Sequence, residues 1–219
     1  MILYIDIASN NAQVSFLKED QVYLESLSSE KQQSKNILSM IESLLVKSRS
    51  QRQDIKFIAF NSGPGYFTGL RIGLSCAQAL STALNVPIFP ISSFQALGLT
   101  LYETNKTMPI GVAIDARMNE VYWCSFNKFE NIFLSYAEKQ ILSIDEFSKK
   151  LDSKLYDNGN ICGNAIDIYI NNLSFKNENI LHEPSHNVCL PVLKKVFQDK
   201  LYNTDNTPDI EYLRNKVTN

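Results

Sequence analysis

Between Ile72 and Tyr102 the chain carries no charged residue, and this constrains its fold more than any other feature. The run follows a short apolar segment, Ile55 to Phe60, and a turn with glycines at 63, 65 and 69. That order reads as strand, glycine turn, helix. The helix starts near Thr68 and runs to Leu84 without the usual solvated face, and a helix that is apolar all round is expected to be covered on both sides. One stripe is Leu70, Leu74, Ala77, Ser81 and Leu84; the other is Ile72, Cys76, Ala79 and Ala83. The second, small and uncharged, admits close approach of another helix. A membrane span is the competing reading, but Pro87 and Pro90 break the run and the helical part falls short of the roughly 20 residues a span needs.

At the turn itself, Gly63 and Gly65 permit φ > 0 or close approach, and Pro64 stiffens the corner between them. Two readings stay open: free N–H groups at the helix N-terminus that hold an anion, and a tight turn that packs helix on sheet. No G-x-x-x-x-G-K-[ST] sequence is present, and the glycine spacing alone is a weak dinucleotide signal.

A chain of 219 residues with 20% charged residues is long enough for one large core or two smaller ones. Its formal net charge of -2 leaves no basic footprint, so any nucleic-acid role is expected to need a partner. Cysteines at 76, 124, 162 and 189 lack C-x-x-C spacing and read as reduced packing residues. The start, MILYIDIAS, has no basic n-region and meets Asp6 at once, so a strand and a cytoplasmic location are expected.

Strands are expected over Ile2 to Ile7, Gln13 to Leu17 and Val22 to Ser26, a meander with its first turn at Asp6. Ser34 to Lys47 carries Ile37, Met40, Ile41, Leu44 and Leu45 at amphipathic-helix spacing. Pro87 to Ile91 reads as another strand and Phe94 to Tyr102 as a helix capped by Ser92 or Ser93. A hairpin start followed by strand–helix units implies a mixed sheet with helices outside it. The polar stretch from Glu103 to Met108 is the expected boundary between an N-terminal lobe, 1–106, and a C-terminal lobe, 107–219. The second lobe opens as the first does: Ile110 to Ile114 and Val121 to Phe126 flank a turn that begins at Asp115. Ser143-x-x-Glu146 is a capping box for a short helix, Ile161 to Asn164 reads as a strand end with a glycine turn, and Val188 to Leu201 is expected as an amphipathic helix with Val192 and Val196 on its inner face. After Pro208, Tyr212 and Leu213 are the apolar anchors of the tail.

Recognisable catalytic chemistry is sparse. His182 and His186 have the i, i+4 spacing of helical metal ligands, but Pro184 stands between them and no Glu follows the first. No G-x-S-x-G occurs, and no cysteine has a catalytic context. Asp6 and Asp115, each at a strand end, are candidates for a carboxylate pair between the halves, and each is equally explained as a turn cap.

Several blocks in unbroken order resemble the TsaB (YeaZ) family of bacterial threonylcarbamoyladenosine tRNA-modification proteins: ILYIDIAS, GPGYFTGLRIG at 63–73, VPIFPISSFQAL at 86–97, IDARMNEVYW at 114–123 and EYLRN at 211–215. Residues 128–207 resemble it only loosely. The resemblance implies an α/β, two-lobed fold like actin, the sugar kinases and the DnaK-type chaperones (ASKHA), with mixed sheets flanked by helices and a reduced second lobe. Its motif residues fall on Gly63, Pro64, Gly65, Thr68, Gly69, Arg71, Asp115 and Arg117. It also implies kinship with TsaD, the transferase, whose N-H-x-x-x-H motif holds a metal. Here Ser93 and Leu97 stand at the histidine positions, and a hydroxyl and an isobutyl group cannot replace two imidazoles.

The expectation is therefore a subunit with no catalytic residue, no metal and no cofactor of its own, with nucleotide only at a junction with TsaD. Its partners would be a TsaD homologue and the ATPase TsaE, a second copy of the chain when TsaD is absent, and tRNA only indirectly; no membrane is involved. The expected partner surface comprises Ile37, Met40, Ile41, Leu44 and Leu45 with Ile72, Cys76, Ala79 and Ala83. Two departures from the family pattern are Tyr66, where serine is usual, and Gln33, near where a histidine often stands. The competing functions are an ATP-binding phosphotransferase using Asp6 and the glycine turn, and a peptidase, a historic label of the relatives for which no nucleophile or metal is in place.

Overall fold

The computed structural model of the chain describes residues 1–9, 11–28, 33–151, 160–169, 181–202, 208–211 and 213. The chain divides into two units, one of Met1–Ser93 with His186–Glu211 and a second built mainly from Phe94–Ser185.

The first unit is a five-stranded sheet covered on both faces. Its strands are β1 (Ile2–Asp6), β2 (Ala12–Lys18), β3 (Gln21–Leu27), β4 (Phe57–Gly63) and β5 (Ile88–Ser92), in the order β3-β2-β1-β4-β5. The β1–β2–β3 meander is antiparallel, whereas β1 pairs β4 and β4 pairs β5 in parallel. Parallel neighbours need a crossover, and helices α1 (Gln33–Lys47) and α2 (Phe67–Leu84) supply it. The period-2 alternation of side chains sends Leu3, Ile5, Val14, Phe16, Ile58 and Phe60 into one core with α1 and α2. On the other face Phe57 packs at 5.2 Å, centroid to centroid, on Phe197. All five residues of β1 are consequently buried.

The α1 face expected to meet a partner is spent inside this unit. Ile37, Met40, Ile41, Leu44 and Leu45 are all buried in the sheet core, because the apolar stripe of a surface helix is first needed by its own sheet. These five residues are corrected from partner contacts to core. The large hydrophobics that α1 exposes are Leu38 and Val46. Its last turn is tied down by Lys47, whose Nζ lies 2.5 Å from a carboxylate oxygen of Glu25 on β3.

The second unit holds α3 (Ser93–Asn105, whose first residue belongs to the first unit), then β6 (Ile110–Arg117), β7 (Glu120–Glu130), β8 (Phe133–Ser143), α4 (Ile144–Leu151), β9 (Ile161–Cys162) and α5 (Ala165–Tyr169). Its sheet runs β8-β7-β6-β9. Trp123, Phe147, Val121, Ile161 and Ile166 form the core, and the Trp123 indole N–H donates to Glu138 at 3.2 Å. Helix α3 lies close to this sheet through Gly98, where a Cβ would stand 2.7 Å from Leu134 and 2.8 Å from Phe126. The expected capping box is formed: Ser143 N–H donates to Glu146 at 2.9 Å and Glu146 N–H to Ser143 Oγ at 3.3 Å.

Three features differ from expectation. Strand β8 carries no clear strand pattern: FLSYAEKQILS places a charged pair mid-strand, and among the described residues its pairing is supplied by β7 alone. Helix α6 (His186–Gln198) begins and ends earlier than expected and buries His186, Cys189, Leu190, Leu193 and Val196, so Val192 is not on its innermost line. The units also depart from the lobes 1–106 and 107–219, since α3 goes with the second unit and α6 returns to the first. The tail anchor Tyr212 lies outside the described residues.

Candidate functional site

Strand β1 ends at Asp6, 5% exposed, and burial raises its carboxyl pKa while the bonds it accepts pull the other way. Oδ2 accepts from the Tyr4 hydroxyl at 3.1 Å and from Asn61 Nδ2 at 3.0 Å, and Oδ1 accepts from Ala8 N–H at 3.1 Å. Asn61, at the end of β4, uses its Oδ1 as a second hub, accepting from Gly63 N–H at 2.9 Å and from Ser93 Oγ at 2.8 Å. The ends of β1 and β4 and the first residue of α3 are thus joined by side chains. Asn61 was not singled out from the sequence, although an Asn before a glycine turn, bonding the backbone two residues on, is a recognisable signal.

The glycine turn sits against this network. Gly63 has φ 102°, a conformation favourable only to glycine. A Cβ on Gly65 would lie 2.3 Å from Ala8 O, and one on Gly69 would lie 2.0 Å from Ile7 O. Tyr66 N–H donates to Ala8 O at 2.7 Å. Of the two readings left open, close packing of helix on sheet is the one these contacts carry: the glycines are where α2 touches the β1–β2 turn. Thr68 and Arg71 face outward, and the Arg71 guanidinium lies 3.8 Å from the Phe67 ring centroid.

Along α2, Gly69, Leu70, Gly73 and Ala77 are buried against the sheet. Ile72 and Cys76 are half-buried and pack against the sheet core, which corrects them from open partner contacts, while Ala79 and Ala83 are exposed. The helix is therefore not covered on both sides within its unit; it presents an uncharged stripe of small residues outward. It ends where Asn85 adopts the left-handed conformation, φ 53° and ψ 51°, with its N–H on Ser81 O.

In the second unit Asp115 and Arg117 come together. Asp115 Oδ1 accepts from Arg117 N–H at 2.9 Å and from the Tyr169 hydroxyl at 3.0 Å, and Arg117 Nε lies 3.5 Å from Oδ2. Burial, with Asp115 as acceptor, pushes the Tyr169 pKa up to about 12. Met118 and Asn119 close the β6–β7 hairpin with φ 54° and 61°, as a two-residue turn of this kind requires. Asp6 and Asp115 thus sit in different units, each bonded within its own network. A solvent-open pocket of about 740 Å³ beside this turn is lined by Asn119 and the first residues of α4, and Asp115 and Arg117 do not line it.

The histidines part. His182, exposed, places Nε2 3.2 Å from Asp167 in the second unit; His186 is buried in the first, 2.6 Å from Ser15 Oγ through Nδ1 and 4.5 Å from the Tyr4 ring. Among the described residues no three His, Cys, Asp or Glu side chains are grouped to hold a metal. Leu97, at the second histidine position, is buried and offers no lone pair. The four cysteines are free thiols, and burial pushes the Cys76 thiol up to about 11, away from nucleophilic use. No described helix is long and apolar enough to cross a membrane.

A family model described as TsaD, tRNA N6-adenosine threonylcarbamoyltransferase, matches residues 27–218. The tRNA threonylcarbamoyladenosine biosynthesis protein TsaB of Buchnera aphidicola subsp. Schizaphis graminum is 34% identical over 159 residues, 70% of this chain and 75% of the relative. TsaB of Escherichia coli K12 is 32% identical over 130 residues, 59% of this chain and 56% of the relative. The solved structure of YeaZ from Pseudomonas aeruginosa superposes with a TM-score of 0.77 at 20% identity, covering 96% of this chain and 99% of that one. A second structure, of an uncharacterized protein with similarity to peptidase YEAZ from Pseudomonas aeruginosa, gives 0.80 at 21% identity over 97% and 99%. At such identity these two structures speak to the fold, which is of the actin-like ASKHA class. With its meander-led sheet, its glycine-seated helix and these relatives, the chain belongs to the TsaB family and carries a TsaD-type domain.

Proposed function

We propose that this chain is a non-catalytic subunit that binds and supports a TsaD homologue, with TsaE, in threonylcarbamoyl transfer to the adenosine next to the anticodon of tRNAs reading codons that begin with A. The observation that carries this reading is the outer stripe of α2, where Ala79 and Ala83 are exposed and no charge occurs between Ile72 and Tyr102. Small uncharged residues let a second helix approach closely, and their outward placement supports a partner more than a core. The partner surface is accordingly centred on Ala79 and Ala83, with the half-buried Ile72 and Cys76 at its inner edge against the sheet core. The same stripe would serve a second copy of the chain when TsaD is absent, since an isologous pair uses one patch twice. Nucleotide belongs to the junction with TsaD, and tRNA is met indirectly, in line with the net charge of -2.

The bonding of Asp6 weighs against the phosphotransferase reading, because its carboxylate already accepts three internal donors. The motif residues include no serine or cysteine to serve a peptidase as nucleophile. Depleting the chain in its own cell and quantifying threonylcarbamoyladenosine in digested tRNA tests the proposal. A fall restored by the wild-type chain but not by Ala79→Arg is expected; an unchanged level of the modified nucleoside would overturn it.

A further inference from the structure

Helix α2 is bonded to the sheet by apolar contacts along its length, but its first turn is seated on the Ile7–Ala8 backbone. That backbone is in turn fixed by Asp6: Ala8 N–H donates to Asp6 Oδ1 at 3.1 Å, and Ala8 O accepts Tyr66 N–H at 2.7 Å. The Gly65 and Gly69 Cα atoms press on Ala8 and Ile7, with no room for a Cβ. Through Oδ2, Asp6 is also joined to Asn61, and Asn61 to Gly63 N–H at the other end of the same turn. The segment that launches α2 is therefore held at both ends by one connected pair of buried side chains. Removing a single acceptor from such a network leaves several buried donors unpaired at once.

We propose that Asp6 is a positioning residue for partner binding: by fixing the turn that launches α2, it sets where the exposed Ala79 and Ala83 of that helix are presented. This rests on the reading of that stripe as the partner surface. It assigns a use to the buried carboxylate at the end of β1.

The pairing supplies its own rescue. Asp6→Asn places an amide N–H opposite the Asn61 N–H, donor against donor, whereas Asp6→Asn with Asn61→Asp restores one donor and one acceptor, and the new carboxylate still accepts from Gly63 N–H and Ser93 Oγ. Hydrogen–deuterium exchange of the full chain, without partner, is the first measurement. D6N is expected to raise exchange in peptides spanning 63–73 by about tenfold, as loss of a buried bonded network does, while the D6N/N61D pair returns within about threefold of wild type. Leu44→Ala in α1, matched for loss of thermal stability, is the control and leaves 63–73 near wild type. Affinity for the purified TsaD homologue is the second: D6N weakens it about tenfold by the same network loss, and the pair restores it. If D6N does not fold, Tyr4→Phe removes one donor to Asp6 and raises exchange in the same peptides to a lesser degree. Exchange at 63–73 no higher in D6N, or in Y4F, than in L44A overturns the proposal, as does a pair that fails to restore it. Ala79→Arg separates the two readings. Binding unchanged by A79R sinks the partner surface, and with it the role of Asp6 in binding, while the exchange arm still decides whether Asp6 fixes the turn; binding lost in A79R but kept in D6N leaves the surface standing and removes Asp6 from it.

Discussion

His186 shows how much one buried side chain can set. Its Nδ1 has Ser15 for a partner, its Nε2 has none among the described residues, and burial drives its pKa down to about 3. The unfolded chain holds this imidazole near the ordinary value of about 6.5. Between those values the unfolded state binds the extra proton, so its contribution to stability is complete above about 6.5 and is lost progressively as pH falls toward 3. Asp6, with a raised pKa, acts in the opposite sense, because protonation lifts its burial penalty on the fold. The difference between wild type and His186→Phe isolates the histidine: urea midpoints of the variant should decline less steeply from pH 6.5 to pH 4. Parallel declines would contradict the assignment. The glycines give a second comparison. Gly69→Ala forces a Cβ to 2.0 Å from Ile7 O and should cost about 1–3 kcal/mol, as overpacking does. Gly73→Ala meets its nearest atom at 3.9 Å and should be neutral or stabilising by up to about 1 kcal/mol, the helix-propensity gain. Equilibrium denaturation of the two variants checks the order. At this scale the capping box and the need for glycine at 63–69 were legible in the residues, whereas the Asp6–Asn61 bond was not, since pairing across β1 and β4 depends on register that no local pattern carries.

Among the elements, α1 and α2 teach the same lesson from opposite sides. The period of α1 was plain, but a period says that a face is covered and not by what; here its own sheet covers it. In α2 the missing charges were equally plain, and one stripe of it stays outside. Leu44, fully buried on α1, should cost about 2–5 kcal/mol as Leu44→Ala. Val46, 78% exposed on the same helix, should change stability by less than about 0.5 kcal/mol as Val46→Ala. Equal costs in a thermal melt would reverse the orientation of the helix. Strand β8 escaped sequence reading for a related reason: as an edge strand it buries Leu134 and Leu142 but exposes Tyr136 and Lys139 between them, so its alternation is diluted, and its existence depends on the long partner β7.

For the molecule as a whole, the strand-first opening of each half was readable, and the sheet topologies, β3-β2-β1-β4-β5 and β8-β7-β6-β9, give it form. What was not readable is that α6, far along the chain, returns to the first unit, with Tyr4 and Ser15 as the contacts of His186. Closure by a distant segment is set by tertiary packing and leaves no local signal beyond an amphipathic pattern. On the proposed function, this chain acts by being bound. The most direct measurement is co-purification of the TsaD homologue of the same cell with tagged wild-type chain and with Ala79→Arg, both verified as folded by circular dichroism. Retention by the wild type and loss in the variant is the predicted result. Equal retention by both, or none by the wild type, would contradict it.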